Sequence, residues 1–229
     1  MTMSIMKNTL IIGIYVLWII ASYIISFTSQ GMNSDNFTHL LIAGFLILQL
    51  ISYPILKKIS KQLSSKYFFI LAGTIFAAIV EGFYMISNPV NKALIITTET
   101  SFVGIIGNYV IDLIFTIPVY IVVFFVIWHF INKYDYEIWQ YLLLFGLAQA
   151  LGDGLFFFIS APLALILIPY VMMNYHSMNL IPFLSVKDNI SPNKSGIMKY
   201  LLPFISIIII YFIAGFLINF IGSSIGLFI

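Results

Sequence analysis

The sequence predicts an all-α, polytopic membrane protein: one integral membrane domain over residues 1–229, folded as a bundle of about seven transmembrane helices. Three observations predict it. Charged residues make up 8% of the chain and hydrophobic ones 62%, against roughly a quarter charged in an average soluble domain. Apolar runs of the ~20 residues needed to cross a bilayer recur along the whole sequence. Those runs do not alternate apolar with polar residues as barrel strands do, so the spanning backbone must satisfy itself as helices. Together these exclude a soluble globular domain and a disordered chain, and the lack of cysteine excludes a disulfide-stapled module.

Spans are expected at 9–27, 37–56, 67–86, 108–131, 139–160, 162–184 and 200–222. The first is read as an anchor, because no small-residue cleavage site follows it. Segment 93–107 is apolar at both ends but carries Thr97, Thr98, Glu99, Thr100 and Ser101, which fits an interfacial or re-entrant piece better than a span. Pro54, Pro118 and Pro169 are expected to kink the second, fourth and sixth helices.

Lysine placement sets the orientation. Lys7, Lys57, Lys58, Lys61, Lys66, Lys133, Lys187, Lys194 and Lys199 fall on one side and only Lys92 on the other. The positive-inside rule then places the N-terminus in the cytoplasm and the C-terminus outside; the expected location is the plasma membrane. The expected partner is the lipid bilayer, whose anionic headgroups suit the 57–66 lysines; no basic domain is present to bind nucleic acid. Asn36-Phe37-Thr38 is a glycosylation sequon on the outer side, whereas Asn189-Ile190-Ser191 and Asn193-Lys194-Ser195 fall inside as chance matches.

Ionisable groups within spans cost several kcal/mol by insertion scales, so each needs a physical reason. Glu81, Asp112 and Asp153 qualify, all in the outer half, and they are the candidate catalytic or proton-binding acids. Asn108, Gln149, Asn174 and His176 are the candidate substrate-binding groups. Small residues share the acids' helical faces: Gly73, Ala77 and Gly82 beside Glu81, Gly104 below Asp112, and Gly146, Ala150 and Gly154 around Asp153. Small residues at four-residue spacing let helices approach closely and make an inward-facing polar stripe plausible. Structurally, these acids would simply hydrogen-bond to Asn108, Gln149 or Asn174 and join helices. Functionally, they would line a site or proton path with an outer opening. A weak repeat points the same way, since Glu81-Gly82-Phe83-Tyr84 and Asp153-Gly154-Leu155-Phe156 each precede an Ile-Ser-x-Pro turn.

Other chemistries find little support. No cofactor motif is present, and the three histidines, His39, His129 and His176, lack the spacing of a zinc site. Ala150-Leu151-Gly152-Asp153 partly resembles the Gly-x-Gly-Asp motif of presenilin-type aspartyl proteases, but that family's Tyr-Asp partner would be Tyr134-Asp135, which lies in a loop. The leading expectation is a small proton-coupled carrier of a small solute. The alternatives are an intramembrane enzyme acting on a lipid or isoprenoid, with Glu81 or Asp153 as general acid, and a non-catalytic membrane subunit.

Overall fold

The computed structural model of the chain describes residues 2–192 and 194–227, with side chains from Lys7 onward. It is all-helical. Seven α-helices among the described residues run alternately up and down: α1 (Thr2–Gln30), α2 (Ser34–Ser60), α3 (Ser65–Tyr84), α4 (Phe102–Lys133), α5 (Ile138–Ser160), α6 (Ile168–Val186) and α7 (Met198–Ser224). Six of them, all but α6, are long and apolar enough to cross a membrane. Their outward surfaces carry exposed Leu17, Ile51, Ile114 and Phe216, an apolar coat that water would not tolerate on a monomer.

The exception organises the bundle. The stretch expected as the sixth span divides into a 3-10 segment, Pro162–Leu167, and the 19-residue α6. Pro169 does not interrupt this helix but sits in its first turn, where its missing N–H is no loss. Nearly every α6 side chain is buried, including Asn174, His176, Ser177, Asn179 and Ser185. Such a polar sequence is tolerable because α1, α2, α3 and α5 pack around it and supply partners. The remaining helices pair as α3 with α4, α4 with α7 and α7 with α5, so the six apolar helices form a wall around the polar one.

Close packing runs through glycine. A methyl at Gly73 would stand 3.1 Å from the Phe124 ring, at Gly152 2.9 Å from Tyr211, and at Gly146 2.5 Å from His176 Cε1. The small residues therefore receive side chains from neighbouring helices as well as letting backbones approach. Pro54 and Pro118 lie inside α2 and α4, which continue through them, while α5 departs from helical geometry at Gly154 (φ −110°, ψ 20°), one residue beyond Asp153.

Segment 93–107 adds no span. After the short turn Lys92–Leu94 the chain stays irregular until α4 begins at Phe102, six residues before the expected start of the fourth span at Asn108. The connection folds back over the bundle: Ile96 N–H donates to Met85 O at 2.8 Å, and Pro89 and Leu94 are buried. At the opposite, lysine-rich end, Lys57 pairs with Asp188 at 2.8 Å, and Lys194 N–H donates to Lys133 O at 3.2 Å. The sequon asparagine Asn36 is fully buried, with its amide nitrogen 2.6 Å from Gly31 O, so it is no glycan acceptor in this fold. Asn189 is exposed at the lysine-rich end, and Asn193 lies outside the described residues.

Candidate functional site

Because α6 leans on α1, α2, α3 and α5, space remains between it and the α4–α7 pair. That space is a cavity of about 560 Å³ in the lysine-poor half. Exposed Gln30 and Asn88 lie at its mouth, and Met178, Tyr175 and Tyr211 lie deeper. Glu81 enters from the last turn of α3 and Asp153 from α5, where the Gly154 irregularity follows it. Two carboxylates on opposite flanks of α6 thus face one space. Asp153 is exposed into the cavity, whereas Glu81 is buried in its wall.

Tyrosines order both acids. Tyr120 OH donates to Glu81 Oε1 at 2.5 Å, and Tyr175 OH donates to Asp153 Oδ2 at 2.8 Å. A carboxylate accepts several hydrogen bonds, so each of these two keeps accepting capacity beyond its tyrosine. Near the mouth Tyr170 OH donates to Asn36 Oδ1 at 2.7 Å and stacks on His39, with ring centroids 3.7 Å apart. His39 Nδ1 lies 3.0 Å from Asp35 O, a carbonyl that can only accept, so Nδ1 carries the proton and Nε2 is left as an acceptor.

Three buried polar atoms in the wall have no partner: His39 Nε2, Asn174 Oδ1 and Tyr211 OH. An unpaired buried polar group costs about 1–3 kcal/mol, so such a concentration marks a place where something else supplies the bonds. No lysine borders the cavity.

Of the residues singled out from sequence, Glu81, Asp153 and Asn174 line this cavity. Asn174 Nδ2 donates to Tyr84 OH, which holds the side chain against α3. Asp112 does not line it. Its Oδ1 accepts from Val90 N–H at 2.7 Å, its Oδ2 is buried without a hydrogen-bond partner, and it lies within electrostatic reach of Glu81. It is ten residues inside α4, about 15 Å along the helix at 1.5 Å per residue, deeper than a helix starting at Asn108 would put it.

Asn108, one turn earlier, donates to Leu94 O at 3.1 Å and so anchors the same connection. Gln149 is buried below the cavity, where its Oε1 accepts from Asn179 Nδ2 at 3.4 Å. His176 faces α1 instead, 2.6 Å from Tyr15 OH. Sequence reasoning missed Asp35, His39 and the tyrosines as wall residues. A signal for Tyr120, Tyr175 and Tyr211 was present: each stands mid-helix, far from the interfacial belt where tyrosine usually sits.

The other end of the cavity is closed. Tyr141 OH donates to Asn179 Oδ1 at 2.8 Å, Gln49 Nε2 donates to Ser177 O at 2.6 Å, and the Tyr141 ring stacks on Phe183 at 3.8 Å. This layer ties α2 and α5 to α6. Among the described residues no group of three or more His, Asp or Glu side chains is placed to hold a metal ion. The pair needed for an aspartyl protease is not formed either, since α7 stands between α4 and α5, and Asp135 is exposed in a loop.

Fold and cavity together fit a multi-pass helical membrane protein with a polar cavity at one end. No family model, curated protein or solved structure matches the chain.

Proposed function

We propose that the protein is a small proton-coupled carrier of a small solute, here in a state open to the outside. One observation carries this reading: two carboxylates on α3 and α5 share a cavity that opens at one end and is shut at the other by a hydrogen-bonded layer. A cavity open on one side and shut toward the other is one of the two states alternating access requires. In this reading Glu81 and Asp153 exchange protons with the solute, Asp112 stands behind Glu81 as a relay, and Asn174 orients the solute. Gln149 belongs to the closed gate. Asn108 and His176 have structural roles, holding the connection over α4 and joining α6 to α1.

The lysine distribution over seven passes supports a cytoplasmic N-terminus, with the cavity facing outward, and we place the protein in the plasma membrane. The test is proton-linked solute flux in proteoliposomes. Flux is expected to fall at least tenfold in Asp153→Asn and in Glu81→Gln, with smaller loss in Asp112→Asn. Solute-driven proton movement that survives both of the first two substitutions overturns the mechanism.

A further inference from the structure

We infer that the cavity binds a protonated amine. This rests on the carrier reading for its biological sense, but the binding chemistry stands on the cavity alone.

Of the three unpaired polar atoms in the wall, two can only accept, and the third, Tyr211 OH, can accept as well as donate. Glu81 and Asp153 each accept one hydrogen bond from a tyrosine hydroxyl and retain further accepting capacity. Asn174 Oδ1 is an acceptor without a donor, and so is His39 Nε2, because its ring proton is committed to Asp35 O. Asn174 is 6% exposed and His39 4%, and both line the cavity, so their donors come from whatever occupies it. A ligand that satisfies this set must bring N–H or O–H groups.

Charge narrows the class. Three carboxylates, Asp35, Glu81 and Asp153, border the cavity, and no lysine does. An anion would meet like charge with no compensating cation, whereas a cation gains Coulombic attraction from low-dielectric walls. The tyrosine rings add a third term, since the negative face of an aromatic ring attracts an ammonium group within about 6 Å. Carboxylates, bare acceptors and aromatic faces are common to one class of small ligand, an ammonium that still carries N–H. A quaternary ammonium would use the rings but leave Asn174 and His39 unsatisfied. At about 560 Å³ the cavity falls within the usual range of roughly 300–1,000 Å³ for small-molecule sites.

The experiment is calorimetric titration of the full chain in nanodiscs with matched probes. The first set is tyramine, its alcohol analogue, its carboxylate analogue and its trimethylated form; the second is propylamine with the same three counterparts. The amines are expected to bind at least tenfold more tightly than the alcohols, the carboxylates and the trimethylated forms. Asp153→Asn and Glu81→Gln are each expected to weaken amine binding at least tenfold. Asn219→Lys, at an exposed position of α7 bordering the cavity, places a cation there without touching the buried wall and is expected to weaken it similarly. Melting temperatures confirm that each variant is folded.

Equal binding of alcohol and amine, no binding by either amine, or a Mg²⁺ signal as strong as the amines' overturns the inference. Amine binding without amine-dependent flux in proteoliposomes overturns the carrier reading and leaves the site standing. Flux of a neutral or anionic solute without amine binding does the reverse.

Discussion

Tyr211 offers a test of the proposed site that separates stability from binding. Its hydroxyl is buried and unpaired in the cavity wall, so Tyr211→Phe removes a group that costs the fold about 1–3 kcal/mol. The variant is expected to melt at the same temperature or higher, yet to bind the solute less tightly, as titration beside thermal unfolding would reveal. A purely structural tyrosine would show no such split. Gly146 gives the opposite case. A methyl there would sit 2.5 Å from His176 Cε1 and 2.8 Å from Met172 Cε, and the His176 ring is held in place by Tyr15. Gly146→Ala is expected to cost about 1–3 kcal/mol through overpacking, read as a lower melting temperature. Gly44→Ala, with nothing within 4 Å, is the silent control.

The elements were unequally legible in the sequence. Hydropathy alone identifies α1 and α7, because their environment is lipid and lipid selects composition directly. Helix α6 was legible as a segment but not as a solitary polar core, since what shields it is the packing of other helices. The cavity was half legible: buried acids such as Glu81 and Asp153 announce themselves by their cost in a span. Asp112 carries the same cost but is bound to the connection at Val90, a contact 22 residues away that no periodicity encodes.

In the proposed carrier, the hydrogen-bonded layer beneath the cavity is the gate, and it is tested by weakening the contacts between helices. Gln49→Ala removes the α2 donor to Ser177 O, and Asn179→Ala removes the side-chain acceptor of Tyr141. Each is expected to raise solute leak from preloaded proteoliposomes several-fold while leaving external binding intact.

At the scale of the whole molecule, the chain contains no native cysteine, which makes its topology directly measurable. Cysteines placed singly at Asn88 and at Lys61 are expected to react with an impermeant maleimide from opposite sides, Asn88→Cys from outside. Reaction of both from one side would sink the alternating arrangement. The lysine-rich end also carries one titrating contact. Hydrogen bonding to Lys57 holds the Asp188 carboxyl below the usual carboxylate range. A depressed folded-state pKa contributes stability that is present above the unfolded value and lost as pH falls through the folded one. Asp188→Asn is therefore expected to lower the melting temperature slightly at neutral pH. That difference should disappear in acid and shrink at high salt, because the pair is exposed to solvent.

The polar character of α6 also constrains how the protein is made. A segment carrying Asn174, His176, Ser177 and Asn179 partitions poorly from the translocation channel into lipid by itself, so the earlier helices must already be waiting beside it. Assembly is then ordered: α1, α2, α3 and α5 form a receptacle, α6 enters it, and α7 follows to complete the wall against α4. In this scheme a nascent chain with α2 deleted would strand α6 on the wrong side, where quality-control proteases find it.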